Sequence, residues 1–323
     1  MKAIRVHTPG GPEALKYEEV PEPIPGAGQA LVKLGACGVN FIDVYFRTGA
    51  YKAPLPLTVG LEGAGTVTAV GAGVTDVKVG DRVAWTGAPG SYAQMTAVPA
   101  DRLVKLPDGL TFKDGAAAML QGMTAHYLVT STYPLKKGDT CLVQAAAGGM
   151  GLLLCQMAKM RGAMVIGTVS TEEKAALAKA AGADHVILYT KQDFEPEVKR
   201  ITAGAGVHVV YDGVGQTTFD KGLSCLRPRG LMALFGAASG PVGPLDLQIL
   251  NTRGSLFVTR PSLNHHIAAR EELLQRAGDV LGWIRDGKLK LRIEHQLPLA
   301  EAAEAHRALE GRKTTGKILL IPA

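Results

Sequence analysis

Cysteine is scarce in this chain. Only Cys37, Cys141, Cys155 and Cys225 occur among 323 residues, and no two of them have the C-x-x-C spacing. A disulfide framework or a zinc knuckle needs cysteines in closely spaced sets, so the sequence indicates neither. Scattered, unpaired cysteines are typical of a reducing compartment, and we therefore expect a cytoplasmic protein.

Long apolar runs are also missing. No stretch approaches the roughly 18 consecutive apolar residues of a membrane-spanning helix, and the opening MKAIRVHTPGG lacks the apolar core of a secretion signal. Apolar residues still make up 46% of the chain and charged residues 20%, as in ordinary globular proteins. The missing apolar runs lead us to expect no membrane contact. Because 323 residues exceed the usual size of one hydrophobic core, we also expect two domains.

Aromatic residues form only 5% of the chain and are not interleaved with basic runs. This composition argues against the stacking surfaces that bind single-stranded nucleic acid. The net charge is +6, but the two signs alternate, as in TEEKAALAKA. We interpret the basic surplus mainly as a solvated surface, and a local basic patch for an anionic ligand remains the alternative.

Short strand-like segments fill the first third of the chain. Each has about four to seven residues and is bounded by Gly, Pro or Asp, a pattern typical of a barrel-like all-β domain. The segments are MKAIRV, ALKYEEV, ALVKLGA, GTVTAVG, DRVAW, SYAQMTA and DRLVKL. The sequence therefore predicts a β-rich first domain.

The pattern changes after Leu110. Residues 114–120 and 124–129 are predicted as helices, and strands and helices alternate from Thr140 onward. The six predicted strands are TCLVQA, MVIGTV, HVILY, VHVVYD, LMALFG and SLFVT. Such alternation predicts a doubly wound parallel sheet with helices on both faces. Since that sheet already has six strands, we expect the tail, with its helices and the strand GKILLI, to return to the first domain.

The most specific motif is the stretch GDTCLVQAAAGGMG, in which a strand runs through small residues directly into a helix. We expect Gly148 to permit a tight turn, Gly149, followed by Met150, to let the backbone approach a pyrophosphate, and Gly151 to let the helix pack closely on the strand. The free N–H groups and the positive dipole end of that helix favour phosphate. The motif predicts a dinucleotide site, and a tight turn without a ligand is the alternative.

The end of the second strand selects the nucleotide. Proteins that prefer NAD usually carry Asp or Glu about 20 residues after the glycines, to bind the ribose 2′-hydroxyl. Here MVIGTV is followed by Ser170 and Thr171, with Lys174 one turn into the next helix. A hydroxyl and an ammonium group favour a 2′-phosphate. The sequence therefore predicts NADPH rather than NADH, while Lys174 as an ordinary surface lysine is the alternative.

At these residues the chain resembles the zinc-free quinone oxidoreductase and ζ-crystallin family of the medium-chain dehydrogenase/reductase superfamily. Further landmarks follow in the family's order, so the resemblance spans the whole chain; they are ACGVNFIDVYFRTGAY, GLEGAGTV, VGDRV and TTGKILLI. The resemblance implies a GroES-like β-rich catalytic domain at 1–122, a Rossmann NADPH-binding domain at 123–260 and a return to the catalytic domain at 261–323. This is an α/β fold class with the active site in the cleft between the domains.

The resemblance also implies a set of cofactor contacts. The glycine loop and Lys174 follow from the residues as well, whereas the others rest on the resemblance alone. The set is Tyr45, Thr124, Gly148, Gly149, Met150, Gly151, Ser170, Lys174, Tyr189, Phe235, Gly236, Val258 and Lys317. For Tyr45, Tyr189 and Phe235, plain core packing is the alternative.

The metal-binding positions of the zinc alcohol dehydrogenases are altered. Asn40 matches the position of the first zinc ligand, and the Gly-His-Glu motif reads Gly60-Leu61-Glu62. Leucine cannot bind a metal and asparagine is a poor zinc ligand, so we expect no zinc. Without a metal to stabilise an alkoxide, we expect an acceptor that takes hydride readily.

Quinones and activated α,β-unsaturated carbonyls are such acceptors. The resemblance implies that the segment with Asn40, Tyr45 and Tyr51 faces the cleft, so these are the candidate catalytic residues, as hydrogen-bond donors to the acceptor oxygen. The leading hypothesis is an NADPH-dependent quinone oxidoreductase. The alternatives are an NADPH-dependent alkenal or enone reductase and a non-enzymatic NADPH- or RNA-binding protein. We also expect a homodimer that pairs through the edge strand SLFVT.

Overall fold

The chain folds as two units, which the computed structural model describes over residues 1–312 and 314–323. Unit 1 contains Met1–Met123 and Ile267–Ala323, and unit 2 contains Thr124–His266. Each unit has its own buried apolar core. The two units are therefore described separately.

The N-terminal part of unit 1 consists mainly of antiparallel strands. The strands are β1 (Lys2–Val6), β2 (Lys16–Glu19), β3 (Gln29–Val39), β4 (Leu57–Thr58), β5 (Glu62–Val70), β6 (Arg82–Thr86), β7 (Met95–Pro99) and β8 (Val104–Lys105). Strands β2, β1 and β4 form a small sheet, and β3, β5, β6 and β8 are neighbours in a larger one, with β7 also paired to β3. Trp85 and Tyr92 are fully buried in the core of this unit.

Two helices interrupt this β-rich region. Helix α1 (Phe41–Thr48) was not foreseen from the sequence, because FIDVYFRT consists largely of aromatic and β-branched residues that favour strands. Helix α2 (Phe112–Tyr127) is one continuous element, whereas the sequence predicted two shorter helices around Gly122. A Cβ atom at Gly122 would lie 2.6 Å from Val280 Cγ1, so this glycine permits close packing and does not break the helix.

Unit 2 is a six-stranded parallel sheet with the strand order β11-β10-β9-β12-β13-β14. The strands are β9 (Thr140–Val143), β10 (Met164–Val169), β11 (His185–Leu188), β12 (Val207–Asp212), β13 (Leu226–Leu234) and β14 (Phe257–Thr259). The helices are α3 (Gly149–Met160), α4 (Glu172–Ala180), α5 (Phe194–Ile201), α6 (Phe219–Cys225), α7 (Gln248–Thr252) and α8 (Leu263–His266). This order is that of a doubly wound Rossmann sheet, which confirms the predicted fold class.

The apolar strands of unit 2 follow from its architecture. A parallel sheet covered on both faces buries every side chain of its central strands, and all four residues of β9 are buried. Strand β10 is buried over five of its six residues. Continuous apolar runs in the sequence therefore correspond to the centre of this sheet.

The tail of the chain belongs to unit 1. Its elements are α9 (Arg270–Arg285), β15 (Ile293–Pro298), α10 (Ala302–Glu310) and β16 (Lys317–Ile321). Strand β16 pairs antiparallel with β3, where Leu320 lies opposite Cys37, and parallel with β15. The tail thus extends the larger sheet of unit 1. Of the helices described, none combines the length and the apolarity needed to cross a bilayer.

Candidate active site

The glycine motif forms the connection between β9 and α3. Helix α3 begins at Gly149, with Gly148 as its N-cap residue. A Cβ atom on Gly151 would lie 2.3 Å from the carbonyl oxygen of Ala145 and 2.6 Å from Ala146 Cα. Both distances are far shorter than any real carbon contact, so only glycine lets the helix lie this close to the end of the strand.

The tight turn itself differs from the expectation. Ala145, not Gly148, has the left-handed backbone (φ 53°), while Gly148 is extended with φ −73° and closes the turn by donating its N–H to Ala145 O (2.9 Å). Thr168 on the neighbouring strand stabilises this unusual alanine, because its hydroxyl accepts from Ala145 N (3.3 Å) and its carbonyl accepts from Ala146 N (2.9 Å). The turn is therefore set by hydrogen bonds to β10 and not by glycine flexibility at position 148.

The other cofactor residues expected in unit 2 lie at the carboxyl edge of the sheet, apart from Thr124 and Lys174. Thr124 is a buried residue of α2, and Lys174 lies in the first turn of α4. The residues at the edge are Ser170 after β10, Tyr189 after β11, Phe235 and Gly236 after β13, and Val258 within β14. Ligands of doubly wound sheets bind at this edge.

The end of β10 carries no carboxylate. Thr171 is the N-cap of α4, and its hydroxyl accepts from the backbone N–H of Lys174 (3.3 Å). Of the two acids in the first turn, Glu172 accepts a hydrogen bond from Lys191 Nζ (2.9 Å), and the Thr171 hydroxyl lowers the pKa of Glu173. Lys174 is half-buried in this first turn, and one of the two acids is paired with another lysine, Lys191.

Asn40 and Lys317 meet in unit 1, although 277 positions separate them. Each is only 3% exposed. Lys317 Nζ donates to Asn40 Oδ1 (2.7 Å) and to Glu62 Oε2 (2.5 Å), and Asn40 Nδ2 donates to the same Glu62 oxygen (2.9 Å). The other Glu62 oxygen accepts from Leu120 N (2.6 Å). Three side chains thus form one buried, charged cluster.

Hydrogen bonds within this cluster already use N–H donors of Asn40 and Lys317. The Asn40 amide already donates to Glu62 and, more weakly, to Gly38 O (3.4 Å). An ammonium group has three N–H donors, and for Lys317 two of them have partners among the described residues. Glu62 was not foreseen as functional; the available signal was a lone carboxylate within the buried segment GLEGAGTV, since an acid is rarely buried without a partner.

Tyr45, in α1, and Tyr51, shortly after its end, lie close to each other. Their ring centroids are 5.3 Å apart, and Tyr51 N donates to Tyr45 O (3.0 Å). Phe46 contacts Tyr51 edge-on at 5.7 Å. Tyr51 is 40% exposed and Tyr45 is half-buried. The two tyrosines therefore form an accessible aromatic group at the end of α1, the helix that begins next to Asn40.

A second buried network was also missed by sequence reasoning. Arg47 Nη1 contacts His306 Nδ1 (3.1 Å), His306 Nε2 contacts Tyr92 OH (3.3 Å), and Tyr92 OH donates to Asp43 Oδ2 (2.9 Å). Because a guanidinium can only donate, Nδ1 of His306 accepts and its proton lies on Nε2. Arg47 is also held by Glu310 through two bonds of 2.8 and 2.9 Å.

Burial shifts the pKa values of two members of this network, Asp43 and His306. Burial raises the pKa of Asp43 to about 7, although hydrogen bonds from Asn40 N and Tyr92 partly oppose the shift. Burial, assisted by the charge of Arg47, lowers the pKa of His306 to about 3. His306 is therefore neutral at physiological pH.

The positions that correspond to zinc ligands are occupied by other interactions. Asn40 is bonded to Lys317 and Glu62, and Leu61 is a buried apolar residue. Across residues 1–312 and 314–323, no group of three or more His, Cys, Asp or Glu side chains could hold a metal ion.

Comparisons with known proteins match the whole chain. Residues 26–108 match the family model of the alcohol dehydrogenase GroES-like domain, and residues 149–276 match that of the zinc-binding dehydrogenase. The chain is 46% identical to a quinone oxidoreductase of Pseudomonas aeruginosa, over 99% of both chains. It is 45% identical to a 2-haloacrylate reductase of Burkholderia, over 99% of this chain and 98% of that one.

A solved structure agrees with these matches. The crystal structure of an Escherichia coli quinone oxidoreductase complexed with NADPH superimposes with a TM-score of 0.98 at 44% identity, covering 100% of both chains. The two proteins are therefore similar in sequence over their whole length, as well as in fold.

The titration of Asp43 predicts a pH-dependent stability. Its pKa rises from 3.8 to about 7 on folding, so between these values the folded state keeps a proton that the unfolded chain loses, and stability falls as pH rises. Asp43→Asn cannot titrate. The free energy of unfolding of the variant minus that of the wild type should therefore increase by about 2 kcal/mol from about pH 4.5 to pH 6.5, measured by urea unfolding.

His306→Gln is the control of opposite sign. The pKa of His306 falls from 6.5 to about 3 on folding, so this residue contributes stability above pH 6.5 that is lost as pH decreases. The corresponding difference for His306→Gln should decrease over the same range. A difference for Asp43→Asn that is independent of pH would contradict the assignment.

Proposed function

The chain belongs to the zinc-free quinone oxidoreductase and ζ-crystallin family of medium-chain dehydrogenases/reductases, and we propose that it is an enzyme that reduces a quinone to the hydroquinone with NADPH. The observation that carries the proposal is the match to quinone oxidoreductases over the full length of the chain. The glycine-lined connection between β9 and α3 supports it, because the absence of a side chain at Gly151 lets the helix N-terminus lie directly against the strand end.

We propose that unit 2 binds NADPH along the carboxyl edge of its sheet. The backbone N–H groups of Gly149, Met150 and Gly151 bind the pyrophosphate in this proposal. They are suited to it because the first N–H groups of a helix have no partner within the helix. Ser170 and Lys174 bind the 2′-phosphate. The remaining contacts in this unit are Thr124, Gly148, Tyr189, Phe235, Gly236 and Val258.

We assign the acceptor to unit 1. NADPH supplies the hydride, and the protein has to stabilise the negative charge that develops on the acceptor oxygen. Asn40 and Glu62 hold the Lys317 ammonium in place, and that buried positive charge is suited to the task. Tyr45 and Tyr51 provide ring faces and hydroxyl groups for the acceptor. Tyr45 and Lys317 also remain proposed cofactor contacts.

An activated alkene is the second candidate acceptor. The Burkholderia relative, named a 2-haloacrylate reductase, is almost as similar as the quinone oxidoreductase. Quinones and activated alkenes place negative charge on an oxygen in the same way, so the same cluster would serve both.

Substrate panels distinguish the two candidates. We expect NADPH oxidation, followed by absorbance, to be at least about tenfold faster in kcat/KM with simple quinones than with enones or haloacrylates. The physical reason is that a quinone delocalises the incoming charge over an aromatic ring. Faster turnover of the alkenes would favour the alternative acceptor, and turnover of neither panel would contradict the proposed function.

Lys174→Ala tests the 2′-phosphate assignment. Loss of a charge-assisted hydrogen bond should raise the Kd for NADPH about tenfold to a hundredfold and change the Kd for NADH less than about twofold. Lys179→Ala, an exposed lysine in the last turn of the same helix, is the matched control and should change neither value. Equal losses for both nucleotides in Lys174→Ala would show that Lys174 does not bind the 2′-phosphate.

We propose that two copies pair through β14. This strand is the edge of the parallel sheet, and Phe257 on it is 59% exposed. Sedimentation should give twice the mass of one chain for the wild type, and Phe257→Glu should shift the protein toward the mass of one chain. Ile24→Glu, at a 90% exposed apolar residue of unit 1, is the control and should leave the mass unchanged. A single-chain mass for the wild type at micromolar concentration would refute the dimer.

We propose a cytoplasmic location. All four cysteines are unpaired and buried, and burial raises the pKa of each thiol. Thiols of this kind are typical of proteins from reducing compartments, and their raised pKa makes them poor nucleophiles. The cysteines therefore support packing and not chemistry.

A further inference from the structure

Two loops at the carboxyl edge of unit 2 are joined to each other. They follow β12 and β13, and we refer to residues 213–218 and 235–240 as the paired loops. Their backbone hydrogen bonds run from Ala238 N to Gly213 O (3.2 Å), from Ser239 N to Val214 O (2.8 Å) and from Gln216 N to Gly240 O (3.1 Å). Since each loop bonds to the other along its length, a displacement of one must displace the other.

Asp212, the last residue of β12, connects the two loops. One carboxylate oxygen accepts from Val214 N (2.7 Å) and Gly215 N (3.0 Å), and the other accepts from Thr218 Oγ1 (2.7 Å). The main-chain carbonyl of Asp212 accepts from Phe235 N (2.8 Å), at the start of the second loop. One residue therefore fixes the first loop through its side chain and the second through its backbone.

The carboxyl group of Asp212 is in an unusual environment. The residue is completely buried, and no ion pair in the described part of the chain includes it. Burial raises its pKa, while the three hydrogen bonds from Thr218, Gly215 and Val214 lower it. A buried carboxyl without a cation is unfavourable unless hydrogen bonds satisfy it. We therefore interpret the Asp212 carboxyl at this edge as a group that fixes the positions of the two loops.

Close contacts between the paired loops set the position of Phe235. A Cβ atom on Gly213 would lie 2.8 Å from the Phe235 ring, and one on Gly236 would lie 2.5 Å from Gly213 O. Neither glycine can be replaced without moving its neighbour. The hydrogen bonds of Asp212 hold the chain on both sides of these contacts, so they define where the ring and the Gly236 backbone lie.

The strand order assigns these loops to one end of the dinucleotide. The connection after β9 faces the pyrophosphate, and the end of β10 carries the residues for the 2′-phosphate of the adenosine half. Strands β12 and β13 lie on the opposite side of β9. A doubly wound sheet binds one mononucleotide on each half, so β12 and β13 serve the nicotinamide half.

We infer that Asp212 is a positioning residue that holds the paired loops in the geometry that binds the nicotinamide half of NADPH. This inference rests on the proposed NADPH-dependent function. Asp212 itself touches neither cofactor nor acceptor and acts through Phe235 and Gly236. The adenosine half, which depends on Ser170 and Lys174, does not require it.

Asp212→Asn tests the inference with two ligands. An amide keeps the size of the side chain but has one acceptor oxygen instead of two. Its nitrogen cannot accept either the bonds from Val214 N and Gly215 N or the bond from Thr218 Oγ1, depending on which side it faces. We expect the Kd for NADPH to rise about tenfold. The Kd for adenosine 2′,5′-bisphosphate, which lacks the nicotinamide half, should change less than about twofold. Calorimetric titration of the full-length protein measures both constants.

Two variants serve as controls. Asp139→Asn removes a buried carboxyl whose oxygen accepts from Lys136 N (3.1 Å) at the amino end of β9, away from the paired loops, and should leave both constants unchanged. Lys174→Ala should weaken both ligands, because both carry the 2′-phosphate. Equal weakening of both ligands in Asp212→Asn would show a general structural role, and unchanged binding of both would also overturn the inference.

Thr218→Val keeps the inference testable if Asp212→Asn does not fold. It removes the bond to the second carboxylate oxygen, together with the longer bond from Thr218 Oγ1 to Gly215 O (3.3 Å), and we expect a selective loss of about threefold for NADPH. Loss for both ligands, or for neither, would again overturn the inference. A wild-type protein that bound neither ligand would instead contradict the proposed function, so the two failures are distinguishable.

Discussion

The close approach of helix α3 to the end of β9 is the constraint on which the nucleotide site depends. Gly151 lies against the backbone of Ala145 and Ala146, where no side chain fits. This contact fixes the position of the helix N-terminus, and therefore of its free N–H groups, at the carboxyl edge of the sheet. Apart from Thr124 and Lys174, the other expected contacts of unit 2 lie along the same edge.

Unit 1 is built around buried charge. Burying the Lys317 ammonium is unfavourable unless a partner compensates it, and Glu62 and Asn40 provide that compensation. Removing one partner of such a pair would leave an uncompensated charge in a dry environment. Buried pairs of this kind are weak evidence for stability, which agrees with the role at the acceptor that we propose for the cluster.

Much of the architecture could be predicted from the sequence, because local patterns determine it. Alternating strands and helices gave the six strands of unit 2, and the glycine motif gave the start of α3. Contacts between distant residues could not be predicted: Asn40 and Lys317 are 277 positions apart, and Arg47 and His306 are 259 apart. The helix α1 was missed because its buried face, not the propensity of its residues, determines its conformation.

The chain of groups from Arg47 to Asp43 has a fixed direction. The guanidinium donates to His306, the imidazole donates to Tyr92, and the phenol donates to Asp43. All the donor dipoles therefore point from the cationic end toward the acidic end, and aligned bonds polarise one another in a medium of low dielectric constant. In effect two neutral rings carry the polarisation of the Arg47–Glu310 ion pair to the buried Asp43 carboxyl.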